Sequence, residues 1–187
     1  MAEKRKNWNG LISGFKASDL VFLDESGCNT DMTRRYAYSL GGSRAVDSAP
    51  LSKPKNTTIL SSIQLDGTLH YTTFSGGTTV EKFKQYLKTD LLPHLNGDSV
   101  LVMDNMKSHH AKAVKNLLDS SGVRYIYLPP YSPDLNPIEK LWSKVKAFLR
   151  KFKARTLDAL PNAIQRAFQT VSSSDCSGWF KSCDYLH

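Results

Sequence analysis

The sequence is poor in cysteine and has no long apolar run. Its three cysteines, Cys28, Cys176 and Cys183, are an odd number with no short paired spacing. This argues against a disulfide framework or a zinc cluster, so we predict free, buried thiols. No apolar run approaches the length of a membrane span, and the opening MAEKRKNWNG lacks the apolar centre of a signal peptide. We therefore expect a cytoplasmic protein, or a nuclear one in a eukaryote, with no membrane partner.

Acidic residues are absent from one stretch of a basic chain. The 187 residues include 25 lysines and arginines against 17 aspartates and glutamates, which gives a net charge of +8. Net charge by itself indicates little more than solubility and a general attraction to anions. The basic residues are clustered, however, with seven of them and no acidic residue from Lys140 to Arg155. This clustering favours an anionic partner.

The pattern of apolar residues predicts one α/β domain. Strands are predicted at residues 20–23, 36–40, 57–65, 69–74, 99–103 and 123–128. Helices are predicted at residues 79–95, 109–118, 137–153 and 156–171. Because strands and helices alternate after residue 99, we expect adjacent parallel strands joined by right-handed crossovers. The predicted fold class is a mixed β-sheet flanked by α-helices.

Three segments are predicted along the chain. They are an N-terminal arm at 1–18, a main domain at 19–155, and a C-terminal helix and tail at 156–187 that packs on this domain. The arm is polar and basic around Trp8, and residues 43–56 have the composition of a loop. In the tail, Pro161 either delays the helix or kinks it. The final loop is predicted to carry Trp179 and Phe180.

Three acidic residues, Asp24, Asp104 and Glu139, lie where apolar sequence gives way to polar sequence. Each aspartate follows an apolar run, so a buried strand would carry it to the sheet edge where ligands of open α/β sheets bind. Glu139 falls in the first turn of a predicted helix. Three carboxylates held together repel one another unless a cation is present. Two divalent ions would relieve this repulsion and clamp the attacking and leaving oxygens of a phosphoryl displacement.

Each of these acids also has a simpler interpretation. Asp104 could merely begin a turn. Glu139 could complete a capping box with Asn136 at the N-cap of its helix. Asp24 could be a solvated strand terminus. It precedes Glu25, and alternation along a strand sends the two side chains to opposite faces, so only one is expected to face the site. Asp24 is preferred because it follows the apolar run directly.

Three motifs around these acids resemble the catalytic domain of mariner-type transposases, in their bacterial insertion-sequence branch. The motifs are FLDES, MDNMKSHHAK and LPPYSPDLNPIEKLW. Between Asp104 and Glu139 lie 34 residues, the spacing typical of this family's DDE triad. The resemblance covers about residues 18–155. It implies a ribonuclease H-like fold, with Asp24, Asp104 and Glu139 as the catalytic residues and as the ligands of two Mg²⁺ or Mn²⁺ ions.

The resemblance also implies a reaction and partners. The reaction is cleavage of DNA strands at element ends, followed by joining of the 3′-hydroxyl ends to TA target DNA. Family members generally act as dimers on paired ends and carry N-terminal helix-turn-helix domains. Fewer than 24 residues precede Asp24 here, so we expect a separate helix-turn-helix protein or an upstream domain to supply end recognition. A bacterial enzyme of this kind would work in the cytoplasm, at the nucleoid.

Two other functions stay open at this point. One is a nuclease of the same fold that cleaves DNA without joining it. The other is a non-catalytic DNA-binding or regulatory fragment of a transposase.

Seven further polar residues near the acids are candidates for contact with DNA. They follow Asp104 or surround Glu139 in sequence: His109, His110, Tyr131, Ser132, Lys140, Lys144 and Lys151. The lysines lie on one side of the predicted helix, which is either an ordinary solvated face or a surface for backbone phosphates. The histidines could touch a phosphate or position water, although exposed or capping histidines are the commoner case.

Overall fold

A five-stranded mixed β-sheet forms the centre of the protein. The computed structural model describes residues 2–34, 36–48, 50 and 54–186. The strands are β1 (Leu20–Cys28), β2 (Thr57–Ile63), β3 (Leu69–Ser75), β4 (Val100–Met103) and β5 (Arg124–Tyr127). Their spatial order is β3-β2-β1-β4-β5. The β1–β2 and β2–β3 pairs are antiparallel, whereas β1–β4 and β4–β5 are parallel. The predicted mixed sheet is confirmed.

Helices cover both faces of this sheet. They are α1 (Ala2–Ile12), α2 (Val80–Tyr86), α3 (Lys112–Ser121), α4 (Ile138–Phe152), α5 (Ala159–Gln169) and α6 (Ser173–Lys181). The path of α2 continues through a wider turn at Leu87–Leu91 and a tighter one at Leu92–His94, in agreement with the predicted helix at 79–95. In the described ranges, no helix combines the length and the apolar character needed to cross a membrane.

Alternate residues of β1 contribute to two cores. Leu20 and Phe22 join a cluster that includes buried residues of α4, α5 and α6. Val21 and Leu23 join a second cluster, built with α2 and α3. None of these four side chains is more than 1% exposed. Because side chains alternate between the faces of a strand, a continuous apolar run indicates a strand covered on both sides.

The prediction of a strand at residues 36–40 was wrong. These residues belong to the long connection between β1 and β2, where Tyr36, Tyr38 and Leu40 are 89%, 106% and 94% exposed. Their alternating pattern suits a strand locally, but such a pattern is stabilised only where a neighbouring strand pairs with it and one face is buried. The antiparallel neighbour of β1 is instead β2, and every residue of β2 pairs with a residue of β1.

Two other predicted boundaries shift or are tested only in part. Residues 107–110 form turns, so α3 begins at Lys112 rather than at His109. In the predicted loop at 43–56, residues 43–48, 50 and 54–56 are neither helix nor strand, whereas 49 and 51–53 lie outside the described residues.

The tail around Trp179, predicted to be a loop, is helix α6. A capping box holds its first turn, in which the side chains of Ser172 and Asp175 each accept a hydrogen bond from the other's backbone N–H. Phe180 is fully buried, and its ring centre lies 5.3 Å from that of Phe22 in β1. A helix this short depends on tertiary packing rather than on its own propensity, which is why periodicity did not reveal it.

The predicted N-terminal arm also contains a helix. Helix α1 brings Trp8 into the core that contains α4, α5 and α6, and this side chain is only 3% exposed. An ion pair between Arg5 and Asp134 joins the helix to the loop before α4. The arm is therefore packed along part of its length.

The cysteines and Pro161 agree with the sequence predictions. Cys28, Cys176 and Cys183 are buried free thiols. Pro161 lies in the first turn of α5, which begins at Ala159. Proline is tolerated in a first turn because the N–H it lacks has no acceptor within the helix there. The proline therefore delays the helix and does not kink it.

We expect Phe180→Ala to lower the free energy of unfolding by about 3–5 kcal/mol, because it leaves a cavity beside Phe22 in the core. Chemical denaturation of the full chain measures this loss. Tyr38→Ala is the matched control, since that ring is fully exposed; it should change stability by less than about 0.5 kcal/mol. Equal effects of the two substitutions would show that α6 does not depend on Phe180.

Candidate active site

The register between β1 and β4 sets Asp24 beside Asp104. Leu23 pairs with Met103, the last residue of β4. The two aspartates each follow one member of this pair. The prediction that Asp24 ends its strand was wrong, because β1 runs on to Cys28. The prediction for Asp104 was confirmed, since it directly follows β4. Beyond Leu23, therefore, β1 has no neighbour on the β4 side, and a cavity opens there.

Asp24 is a buried carboxylate held by a tryptophan. Its side chain is 8% exposed, and Nε1 of Trp142 in α4 donates a hydrogen bond to its Oδ2 at 3.0 Å. Burial raises the pKa of Asp24 to about 7, and the negative charges of Asp104 and Glu139 add to the rise. The hydrogen bonds from Trp142 and from the Glu25 backbone oppose it. Trp142 itself is buried and packs in the core.

Glu139 lies in the first turn of α4 and is free of the capping role. No side-chain hydrogen bond caps the first turn of the helix, and the backbone N–H of Asn136 donates to the carbonyl of Pro133 rather than to Glu139. The Oδ1 atom of Asn136 is buried and accepts no hydrogen bond from a described residue. The capping interpretation of Glu139 is therefore wrong. Its carboxylate lines the same cavity as Asp24 and Asp104.

The three acids share a cavity of about 580 Å³. Its walls come from the end of the β1–β4 pair, from the loop after β4, from the proline-rich loop after β5, and from the start of α4. These four segments belong to three regions that are far apart in sequence, because the proline-rich loop runs directly into α4. The carboxylates of Asp24 and Asp104 come together where the β1–β4 pairing ends, and the loop after β5 brings Glu139 to the same edge of the sheet.

Asp104 has one oxygen engaged by the protein. Its Oδ1 lies 2.8 Å from Nδ1 of His109 and accepts the backbone N–H of Met106 at 2.9 Å. The hydrogen bond from Met106 shows that Asp104 does begin a turn, as its simpler interpretation predicts. Asp104 also lines the cavity, so the two roles are compatible. Burial alone would raise the pKa of Asp104, but the hydrogen bonds from His109 and Met106 hold it below its usual range.

Glu25 also lines the cavity, which the sequence did not predict. It points to the face of Val21 and Leu23, opposite to Asp24, as strand alternation requires. Because the cavity lies past the end of β4, however, it is open to both faces of β1. The Asp-Glu pair directly after the apolar run was the signal available, but alternation alone suggested that only one acid could reach the site.

His109 lies between Glu25 and Asp104 and is fully buried. Its Nε2 is 3.2 Å from Oε2 of Glu25. Burial alone would lower the pKa of His109, but its hydrogen bonds to the two carboxylates, and their charges, outweigh this and raise the pKa to about 9. At neutral pH both ring nitrogens therefore donate. The predicted contact of His109 with DNA does not agree with this position, because a buried ring has no surface to offer.

The other residues predicted to contact DNA occupy varied surroundings. His110 is half-buried and stacks on Tyr127, with ring centres 4.1 Å apart. Tyr131 is 88% exposed at the rim of the cavity, and Ser132 is buried in its wall.

The three lysines of α4 that were predicted to contact DNA also differ in their surroundings. Lys140 and Lys151 are exposed. Lys144 is engaged in an ion pair with Asp175 of α6, with Nζ 2.6 Å from Oδ2. The lysine face is therefore only partly free.

The donor set suits hard divalent cations. Burial is the main cause of the raised pKa of Asp24, and the charges of Asp104 and Glu139 add to it; a bound cation would favour the ionised carboxylate against both effects. Among the described residues, no group of three His, Cys, Asp or Glu side chains is already arranged as a metal site. Mg²⁺ keeps several water ligands and needs few carboxylates. The chemistry of the carboxylate donors therefore fits such an ion, whereas their spacing in this structure does not form a closed site.

The sequence of this region matches a known enzyme family. Residues 19–161 match the family described as DDE superfamily endonuclease. The match covers most of the chain, and the chain belongs to this family.

Two curated relatives are nematode transposases. The chain is 28% identical over 92 residues to the Tc1 transposase of Caenorhabditis elegans, covering 49% of this chain and 34% of that protein. It is 32% identical over 75 residues to the Tcb2 transposase of Caenorhabditis briggsae, covering 40% and 28%. The matched segments span about a third of the length of these relatives.

Solved structures of the Mos1 transposase share the fold. A paired-end complex with the left transposon end has a TM-score of 0.81 at 20% identity, covering 97% of this chain and 58% of that one. The isolated Mos1 catalytic domain has a TM-score of 0.73 at 16% identity, covering 97% and 86%. The predicted ribonuclease H-like fold is confirmed.

In the metal-free chain, we expect part of the stability of the folded state to be lost as the pH rises from about 4 to about 7. Asp24 is protonated more readily in the folded than in the unfolded state. Its contribution is therefore complete below its ordinary pKa and disappears as the pH passes the folded value. The loss is roughly 4 kcal/mol at most.

Denaturation in the presence of a chelator, compared between the unaltered chain and Asp24→Asn, isolates this contribution. The stability difference between the two proteins should change across this pH range. A difference that stays constant with pH would contradict the expected titration of Asp24.

Proposed function

We propose that this chain is the catalytic domain of a metal-dependent DNA transposase. It would cleave DNA strands at the ends of a mobile element and join the 3′-hydroxyl ends to TA target DNA. The observation that carries this proposal is the convergence of Asp24, Asp104 and Glu139 on one cavity, in a chain of the DDE superfamily endonuclease family. The similarity to the Tc1 and Mos1 transposases supports transposition over simple hydrolysis.

Asp24, Asp104 and Glu139 would hold two Mg²⁺ or Mn²⁺ ions. Solved Mos1 complexes with Mn and with Mg are among the structures of similar fold. When bound, two such ions activate the attacking oxygen and stabilise the leaving oxygen of a phosphodiester. The protein supplies the orientation of the ligands: Trp142 holds one oxygen of Asp24, and α4 presents Glu139 from its first turn.

DNA would reach the cavity along the face of α4 that carries Lys140 and Lys151. Both side chains are exposed, and the helix begins at the cavity. Contacts of this type bind backbone phosphates without reading sequence. Tyr131 at the rim would touch the strand nearest the cleaved bond, and half-buried His110 would approach it from the loop after β4. Ser132, buried in the cavity wall, would support the loop after β5 rather than touch the DNA.

Recognition of element ends would come from a helix-turn-helix protein or an upstream domain. This chain matches only about a third of the length of each curated relative, so the rest of those proteins has no counterpart in the match. Two copies of the chain would act together, as the similarity to a Mos1 paired-end complex suggests. We further propose that the protein belongs to the bacterial insertion-sequence branch and works in the cytoplasm, at the nucleoid.

The direct test is Asp104→Asn. We expect this change to abolish Mn²⁺-dependent nicking of DNA that carries element ends, and to weaken Mn²⁺ binding measured by calorimetry, while the thermal unfolding transition is retained. Asp98→Asn is the matched control, because Asp98 is exposed and precedes the opposite end of β4. Full nicking by Asp104→Asn would show that Asp104 is not a metal ligand.

The joining step needs its own assay. Incubation of pre-cleaved ends with a plasmid target should give products joined at TA through a 3′-hydroxyl. Nicking without joined products would instead identify a nuclease of the same fold. DNA binding with no heat change on addition of Mn²⁺ would identify a non-catalytic fragment.

Lys140→Gln and Lys151→Gln should weaken DNA binding equally for all sequences. Each change should reduce the slope of log affinity against log salt by about 0.9, the value for one phosphate contact. Lys144→Gln should have a smaller effect because Asp175 already pairs with that lysine. Lys88→Gln, at an exposed site on another helical segment, serves as the control. Salt titration by fluorescence anisotropy measures these slopes. Unchanged slopes in the Lys140 and Lys151 variants would show that this face of α4 does not bind DNA.

A further inference from the structure

Glu25 and His109 form a side-chain link across the end of the parallel strands. The backbone ladder between β1 and β4 stops at Leu23 and Met103. Beyond this point no backbone hydrogen bond ties β1 to the loop that carries Asp104. The link from Glu25 through His109 to Asp104 spans this gap, with distances of 3.2 Å and 2.8 Å.

The ring of His109 has little freedom to turn. It is fully buried and stacks on Phe83, with ring centres 4.3 Å apart. The backbone of His109 is also held: its carbonyl accepts a hydrogen bond from the Tyr127 hydroxyl at 3.1 Å, and its backbone N–H donates to the carbonyl of Met106 at 3.0 Å. A ring fixed in this way sets the orientation of any carboxylate bonded to it.

The link engages only one oxygen of Asp104. His109 and Met106 both contact Oδ1, and the Asp104 side chain remains 43% exposed towards the cavity. In contrast, the Oε1 atom of Glu25 is buried and has no hydrogen-bond partner among the described residues. Both acids line the cavity, but Asp104 is the more exposed of the two, since the Glu25 side chain is only 12% exposed.

We propose that Glu25 and His109 are positioning residues, which hold Asp104 so that its second oxygen faces the metal site. Glu25 acts through His109 and does not itself bind the metal. This inference rests on the proposed function, since it assumes that Asp104 is a ligand. Groups that orient metal ligands typically contribute roughly 10-fold to 100-fold in metal affinity.

Mn²⁺ titration of the metal-free full chain, followed by calorimetry, tests the role of Glu25. Glu25→Ala should weaken Mn²⁺ binding by about 10-fold. Glu25→Gln should restore binding to near that of the unaltered chain, because the amide oxygen can still accept from Nε2. Glu81→Ala, at an exposed glutamate of α2, is the matched control and should bind normally.

A double-variant cycle tests whether Glu25 acts through His109. His109→Gln should weaken Mn²⁺ binding by a similar factor, and adding Glu25→Ala to it should cause no further loss. Additive losses, together with weak binding by Glu25→Gln, would show that Glu25 is itself a ligand and would overturn the proposal.

The possible failures can be told apart. Thermal unfolding of each metal-free variant identifies any loss of Mn²⁺ binding that arises from misfolding. If Glu25→Ala does not fold, Glu25→Gln, the smallest change, still tests the role of Glu25. Normal Mn²⁺ binding by all Glu25 and His109 variants, beside a loss in Asp104→Asn, would overturn the positioning role alone. Normal binding by Asp104→Asn as well would overturn the proposed metal site, and the positioning role with it.

Discussion

The parallel pairing of β1 with β4 is the constraint on which the site depends. It fixes the sheet order, because β1 has β2 on one side and β4 on the other. It also places Asp24 and Asp104 side by side, since each follows one residue of the Leu23–Met103 pair. A shift of one residue in this register would send one aspartate to the wrong face. The four-residue length of β4 matters equally, because its early end opens the cavity.

The site concentrates negative charge that the fold must compensate. Four carboxylates, from Asp24, Glu25, Asp104 and Glu139, line one cavity. Two of them are bonded by side chains from opposite sides of the sheet, Trp142 for Asp24 and His109 for Asp104, and each also accepts a backbone N–H. The compensation is incomplete, as the raised pKa of Asp24 indicates. Burial is the main cause of this rise and the charges of Asp104 and Glu139 add to it, and a bound cation would offset both effects at this edge of the sheet.

Local pattern predicted the elements that are buried on both faces and failed where tertiary contacts decide. The apolar run of β1 and the periodic segment of α4 were both identified correctly in type. The exposed segment at 36–40 has a strand pattern without a partner strand, whereas α6 has little pattern and depends on Phe180 reaching Phe22. Both errors have the same cause, since a short segment adopts the structure that its neighbours stabilise.

The sequence by itself led to the family and the fold, through its three acids, their spacing and the motifs around them. Tertiary structure alone decided which of the simpler local interpretations of these acids hold. Glu139 is not a helix cap because the N–H of Asn136 donates to Pro133 and its Oδ1 accepts from no described residue, and Glu25 joins the site because β4 ends where it does. His109 is buried between Glu25 and Asp104, past the end of the β1–β4 pairing. These outcomes depend on where strands and helices stop relative to one another, and that is a property of packing between distant segments which no local pattern encodes.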